Sequence, residues 1–243
     1  MLKKTLLAIL ICVFFNLNAQ DPAKMESEDF LELCQKQLLG NCWVKMSGKM
    51  NVRSSTGKRL KPIPLKFAAQ LIPNKIVFKT TVNNNQSFKI ESIFGDKHDT
   101  KVLEDKLGDD DGFSKVGIKP EDLSLSFMYW DYIKEYERDS IGVLRIACRV
   151  ILLGNPDGSE FAKVWLSEKH LGPLRVEWYD PQSLKNEKPI QVLTFEDFAE
   201  KNKVWVPLEV KITNVKGDLQ IKFSDVDADF STNIPVDLYN TEN

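Results

Sequence analysis

The residues from Gly142 to Asp180 constrain the fold more than any other part of this chain, because they contain three strand-like runs in succession. Each run alternates apolar and polar residues over most of its length, as half-buried strands do. Asn-Pro-Asp-Gly at 155–158 and Gly-Pro at 172–173 supply turn chemistry between the runs. We therefore predict three antiparallel strands, each with one apolar and one charged face, at Val143–Leu153, Phe161–Ser167 and Leu174–Tyr179.

An amphipathic helix is predicted near the start of the chain, from Ser27 to Leu39. Ser27 suits the N-cap, and two acidic residues follow it in the first turn, where they favour the helix dipole. Phe30, Cys34 and Leu38 recur every four residues and so share one face of the helix. Gly40 suits the left-handed residue that ends many helices. This helix is expected to lie on an apolar surface.

The remaining periodic segments predict a single domain over residues 20–243, without a repeat or linker. A second, short helix is expected from Pro120 to about Asp131, with proline at its first position. Short strands with tight turns between them are typical of an antiparallel sheet. These strands are Trp43–Arg53, Leu65–Leu71, Ile76–Val82, Phe88–Phe94, Tyr132–Arg138, Ile190–Glu196, Val204–Asn214 and Leu219–Asp225.

The first 19 residues are typical of a secretory signal peptide. Lys3 and Lys4 precede an apolar run from Leu6 to Phe15, and Ala19 offers a small residue at a cleavage point. The run is too short for a membrane span. The formal net charge of −2 gives no reason to expect nucleic acid as a partner. We expect an exported protein whose mature part starts near residue 20.

The cysteines leave the redox state open. Removal of a signal peptide takes away Cys12 and leaves Cys34, Cys42 and Cys148 in a compartment that favours disulfides. One disulfide with one buried thiol and three buried thiols are both compatible with this count. Cys148 alternates in phase with apolar neighbours, which favours burial as a small hydrophobic residue. The absence of a CxxC pair argues against a thioredoxin-type site.

The sequence carries no motif for catalysis or for a metal or cofactor. His98 and His170 lack the spacing of zinc ligands, and no nucleophile elbow, P-loop or dinucleotide glycine pattern is present. The acidic turn that ends at Gly112 fails as a calcium loop, since Leu107 and Ile118 occupy its first and twelfth positions. Alternating acids at Asp225–Asp229 suit a charged strand end better than a cation site. We expect a non-enzyme without a cofactor.

The alternation in the later strands predicts one continuous apolar face. Arg145, Arg149, Arg175 and Glu177 are assigned to the opposite, solvated face. Two helices are too few to cover so wide a face, so the sheet either closes on itself or curls around a cavity. The residues expected to line that cavity are Ile146, Val150, Val164, Leu166, Val176, Trp178, Leu208, Val210, Ile212, Ile221 and Phe223.

The order of several segments resembles the outer-membrane lipoprotein-sorting family, the LolA-like proteins. The resemblance is clearest from Pro120 to about Asp229. It rests on the EDL helix start at Glu121–Leu123, on RIACRVILLGNP, KVWLS, GPLRVEWYD and VWVPLEVKITN, and on the end strand FSDVDAD. It implies an α+β fold, in which a curled antiparallel half-barrel carries helices as a lid over a hydrophobic cavity.

The same resemblance implies a periplasmic carrier in a Gram-negative-type envelope. Such a protein would bind lipoprotein acyl chains or another lipid, and an envelope membrane protein would act as donor or acceptor. Each buried methylene contributes about 0.8 kcal/mol, so acyl chains bind without any chemistry. We expect a monomer. The alternative is a sensor or regulatory domain of the same fold that binds another envelope protein.

Overall fold

The computed structural model describes residues 12–13, 21–38, 40–94, 99–108, 111–118, 125–142, 145–230, 234–235 and 237–239. The predicted signal peptide, His98 and Glu121–Leu123 lie outside these residues, apart from Cys12 and Val13. The strands are β1 (Cys12–Val13), β2 (Cys42–Ser54), β3 (Ile63–Ile72), β4 (Lys75–Val82), β5 (Gln86–Ile93), β6 (Asp99–Asp105), β7 (Asp131–Ile141), β8 (Ile146–Gly154), β9 (Phe161–Ser167), β10 (Pro173–Tyr179), β11 (Gln191–Lys201), β12 (Val204–Asn214) and β13 (Gly217–Asp229).

Twelve of these strands form one open antiparallel sheet in the order β6-β5-β4-β3-β2-β13-β12-β11-β10-β9-β8-β7. The order consists of two meanders, β2–β6 and β7–β13. The pairing of β2 with β13 joins them and runs from Trp43 opposite Asp229 to Ser54 opposite Gly217. β1 pairs with the start of β12 beside this path. Because β6 and β7 are the two edges and do not pair with each other, the sheet is not closed.

The polypeptide between β6 and β7 connects opposite edges of the sheet, and its described parts contact strands along the way. Phe113 packs edge-to-face on Phe88 of β5. The main-chain oxygen of Val116 accepts a hydrogen bond from Asn214 of β12. Phe127 packs edge-to-face on Trp178 of β10. Its described parts are residues 106–108, 111–118 and 125–130, and two short 3-10 turns occur in them, at Ser114–Val116 and Ser126–Tyr129.

One face of the sheet, here called the inner face, carries the main apolar core. It is defined by the buried side chains that join a single cluster, and this cluster extends from β5 to β8 through every strand between them in the sheet. Successive side chains of a strand point to opposite faces. Cross-strand pairs such as Val176 with Leu193 and Val210 with Ile221 therefore extend the same face from one strand to the next.

Three segments outside the sheet pack into the inner-face cluster, and we call them the covering segments. They are helix α1 (Ser27–Leu38) and residues 111–118 and 125–129. Helix α1 has the predicted start and buries Phe30, Leu31, Cys34 and Leu38. Phe113, Val116, Phe127 and Met128 from the other two segments are buried in the same cluster.

The antiparallel sheet is confirmed, and the class of the described residues is mainly β. The only α-helices in this part of the chain are α1 and a five-residue helix α2 (Pro181–Lys185). The expectation of a helix up to Asp131 is wrong, because residues 126–129 form a 3-10 turn and Asp131 already begins β7. Asp180 and Ser183 form a capping box that starts α2, which was not predicted.

Candidate functional site

Nine of the eleven residues predicted to line a cavity lie on the inner face. Eight are buried in its cluster, and Leu208 is partly buried against it. Alternation identified these positions because their neighbours on β9–β13, such as Gln220 and Lys222, are polar. Contact with a ligand stays a prediction for all of them. The nine are Val164, Leu166, Val176, Trp178, Leu208, Val210, Ile212, Ile221 and Phe223.

The face assigned to β8 is wrong for Ile146 and Val150. Val150 belongs to a second cluster with Cys148, Trp165 and Leu174, and Ile146 packs against that cluster. Ile151 and Leu153, which point the other way, occupy the inner face instead. The physical reason is that Cys148–Gly154 is buried at every position. Because neither face of this part of the strand is in solvent, the alternation of residue types cannot show which face points inward.

Arg149 also lies on the inner face and is not in solvent. Its side chain connects the start of α1 to the edge of the sheet. Its Nε donates to Glu135 Oε1 at 2.8 Å, and Nη1 donates to the main-chain oxygen of Met25 at 2.7 Å. Its guanidinium lies 4.7 Å from the centre of the Phe30 ring. Ser27 donates a short hydrogen bond to the other oxygen of Glu135. We call these contacts the clasp.

The charges of the clasp stabilise each other. Hydrogen bonds from Arg149 lower the pKa of the Glu135 carboxyl below its ordinary value, with a smaller contribution from Ser27. Glu135 in turn raises the pKa of Arg149. The guanidinium is a bidentate donor to the carboxylate, which is the strong geometry for such a pair. The covering helix is thus attached by apolar contacts along its length and, near its start, by hydrogen bonds that Ser27 and the main chain of Met25 form with this ion pair of the sheet.

Two buried side-chain nitrogen donors on the inner face have no hydrogen-bond acceptor in the described residues. They are Nε1 of Trp178 and Nε2 of Gln191, whose side chains are 1% and 5% exposed. The two residues are direct cross-strand partners on β10 and β11. Sequence reasoning identified Trp178 as an apolar position but missed both donors. Whether a buried donor finds an acceptor depends on which residues the folded chain brings near it. The alternation of apolar and polar residues in a strand does not predict those contacts.

The opposite face carries the second cluster, here called the outer cluster, and its polar groups are paired. Nε1 of Trp165 donates to Asp139 at 2.9 Å, and this bond lowers the pKa of Asp139. Glu177 is buried rather than solvated. It accepts from Nη2 of Arg175 at 2.6 Å and from the hydroxyl of Tyr179 at 2.5 Å.

A pocket of about 670 Å³ opens beside the outer cluster. It lies where β10 and β11 separate, since their pairing ends at Arg175 and Thr194. Its walls are mostly apolar, with charged residues among them. Ile146, which was expected in the inner cavity, lines this pocket together with Ile141, His170, Leu174, Phe198 and Trp205.

The described residues contain no group of three or more histidine, cysteine or acidic side chains that could bind a metal ion. Cys34, Cys42 and Cys148 are buried thiols that form no disulfide in this part of the chain. Burial raises the pKa values of Cys42 and Cys148 to about 12. These two thiols are therefore in their unreactive, protonated form near neutral pH.

Comparison with solved structures shows the same fold in two bacterial proteins. A DUF1329 family protein from Desulfovibrio piger superposes with a TM-score of 0.66 at 16% identity, over 90% of this chain and 97% of the other. A "putative outer membrane lipoprotein-sorting protein domain" from Vibrio parahaemolyticus gives a TM-score of 0.61 at 15% identity, over 88% and 97%. The predicted resemblance to lipoprotein-sorting proteins is confirmed at the level of the fold.

No family model matches the chain, and no curated protein is significantly similar to it. Identities near 15% are too low for alignment to assign a functional residue, so the likeness concerns architecture. In the described ranges, none of the helices is both long enough and apolar enough to span a membrane.

Proposed function

We propose that this protein is an envelope carrier that binds the acyl chains of lipoproteins, or another lipid, between the inner face and its covering segments. The observation that carries the proposal is the division of the apolar core. One wall is a continuous sheet, and the other consists of short segments that join no ladder of that sheet. Separation of the two walls breaks no strand pairing.

In this proposal the sheet is the curled wall of a half-barrel and the covering segments are its lid. Acyl chains replace the side chains of the lid on the inner face, so apolar area stays buried when cargo is loaded. At about 25 cal/mol per Å² of buried apolar surface, a chain of sixteen carbons provides a driving force of several kcal/mol. The similar fold of the Vibrio parahaemolyticus domain supports this assignment.

The predicted signal peptide supports a periplasmic location for the carrier, and in this proposal its cargo passes there from a donor to an acceptor membrane protein. A carrier needs a binding site that opens and closes, and it needs no catalytic group. Neither the loading nor the release of cargo requires a metal or a redox partner in this proposal.

The direct test is to purify residues 20–243 from the envelope of the host and to identify co-purified lipid by mass spectrometry. Binding of a fluorescent fatty acyl probe is then measured with Leu208→Asp, a partly buried inner-face position on β12. Because the charge enters the proposed cavity, we expect at least a tenfold loss of affinity.

Leu103→Asp is the matched control, because Leu103 lies on edge strand β6 and is 51% exposed. It should bind the probe as the wild type does. Absence of both co-purified lipid and probe binding in the folded protein would contradict the carrier and favour the sensor that binds a protein partner.

A further inference from the structure

The two unsatisfied nitrogen donors of the inner face belong to cross-strand partners. Trp178 and Gln191 are directly opposite each other on antiparallel strands, which places their Cβ atoms about 5 Å apart on the same face. Neither Trp178 Nε1 nor Gln191 Nε2 has an acceptor within the described part of the chain, although both atoms are buried.

In this structure, with the covering segments in place, neighbouring residues set the orientation of both groups. Nδ2 of Asn214 donates to the main-chain oxygen of Val116 at 2.9 Å and to Oε1 of Gln191 at 3.2 Å. Because Asn214 presents a donor, the oxygen of the Gln191 amide must face it, and the amide nitrogen is directed elsewhere. The ring of Trp178 is held edge-to-face against Phe127, with 5.6 Å between ring centres.

Unmade hydrogen bonds of this kind are unfavourable, and native cores contain few of them. Two N–H groups on neighbouring residues in an apolar layer can share one acceptor with two lone pairs. A neutral carbonyl oxygen meets this requirement. A carboxylate does not, because an ion buried here needs a cation, and the guanidinium of Arg149 on this face is already paired with Glu135.

We propose that Trp178 and Gln191 form a carbonyl-binding pair that holds the ester or amide carbonyl at the head of an acyl chain. This inference rests on the proposed carrier function and specifies its cargo class: acyl groups linked as esters or amides, rather than free fatty acids or hydrocarbons. The two donors position the head of the chain, while the rest of the inner face holds its methylenes.

The test compares two phospholipids that differ only at the linkage. Dipalmitoyl phosphatidylethanolamine carries ester carbonyls, and its dihexadecyl ether analogue has none. We expect the wild-type protein to bind the ester lipid at least tenfold more tightly than the ether lipid. Trp178→Phe combined with Gln191→Met removes both donors at similar shape and should abolish this preference while ether binding persists.

Trp165→Phe is the matched control, because it removes an indole N–H from the outer cluster, and it should retain the ester preference. A second readout reports the hydrogen bond itself. The infrared stretch of a ¹³C-labelled ester carbonyl should shift to lower frequency on binding to the wild type, and this shift should be absent in the double variant. Folding of each variant is checked by circular dichroism.

The outcomes separate this inference from the function on which it rests. Equal binding of ester and ether lipid by the wild type overturns the carbonyl-binding pair and leaves the carrier intact. An ester preference that survives in the folded double variant does the same. Failure of both lipids to bind contradicts the carrier itself.

Discussion

Trp165 and Trp178 lie in neighbouring strands, β9 and β10, yet their indole groups are in opposite situations. Both are buried, at 6% and 1% exposure, and both lie in strands of the same meander. Trp165 belongs to the outer cluster, where its N–H donates to Asp139 and the cations of Lys163 and Arg175 lie near its ring. Trp178 belongs to the inner face, where its N–H has no acceptor.

The difference teaches that the chain completes the hydrogen bonds around one indole and leaves those around the other incomplete. Around Trp165 the chain satisfies the polar groups that it buries, as a finished core does. Around Trp178 the chain leaves two nitrogen donors unsatisfied, and these lie beneath the covering segments, which do not pair with any strand of the sheet. A core whose own chain does not complete its hydrogen bonds is typical of a binding surface, because strain of this kind is found where function requires it.

The largest difference in stability between the two faces is expected from Arg149→Met on the inner face. Removal of one partner from a buried ion pair costs about 3–5 kcal/mol, and here it also frees α1 from the sheet edge. We expect the free energy of unfolding in urea to fall by about 3 kcal/mol. The matched outer variant Arg175→Met removes a more exposed partner of Glu177 and should cost clearly less.

The same variant can be followed through its thiols. Cys34 on α1 is buried under the clasp, whereas Cys148 is in the outer cluster. A maleimide reagent should label Cys34 at least tenfold faster in Arg149→Met than in the wild type, with Cys148 unchanged. Equal acceleration at both thiols would indicate global unfolding instead of local release of the helix.

A smaller difference in stability is expected when the same substitution is made at each of the two tryptophans. Trp165→Phe and Trp178→Phe remove the same atoms, so their cavity terms are similar, but only the first breaks a hydrogen bond. Since a bond to a charged group contributes about 1.5–3 kcal/mol, Trp165→Phe should be more destabilising by about 1–2 kcal/mol in urea unfolding. Equal losses would mean that Trp178 has an acceptor in solution.

The smallest effect expected is on the pH dependence of stability. The pKa of Glu135 is lowered by Arg149, and that of Asp139 is lowered by Trp165. A carboxylate whose pKa is depressed in the folded state stabilises it above the unfolded pKa of about 4, and this contribution is lost as pH falls through the folded value. Urea midpoints between pH 6 and 3 should therefore decline less steeply in Glu135→Gln and Asp139→Asn than in the wild type.

The sequence predicts most strands because polar residues mark their solvent side. In β13, Leu219 and Ile221 alternate with Gln220 and Lys222, and the inner face follows directly. The edge strand β6 was missed because its residues, including Val102 and Leu103, are largely exposed and show no alternation of burial. Pairing with β5 creates this strand, and local periodicity does not reveal such pairing.

The candidate site was predicted less completely for a related reason. An arginine is ordinarily evidence of solvent, and this is why Arg149 was placed outside. Its burial depends on Glu135, which is the cross-strand partner of Ile151, two positions along β8 from Arg149. The unsatisfied donors depend likewise on contacts between distant segments. Alternation gives the face of a residue, whereas the partners of its polar atoms come only from tertiary structure.

The pairing of β2 with β13 has a consequence for how the chain reaches its native state. It connects residues 43–54 with residues 217–229, so almost the whole chain must be synthesised before the two meanders can become one sheet. Contacts of such long sequence separation slow folding, and until they form, each meander exposes an unpaired strand edge that is prone to aggregation. A chain of this topology benefits from protection of these strand edges until its synthesis is complete.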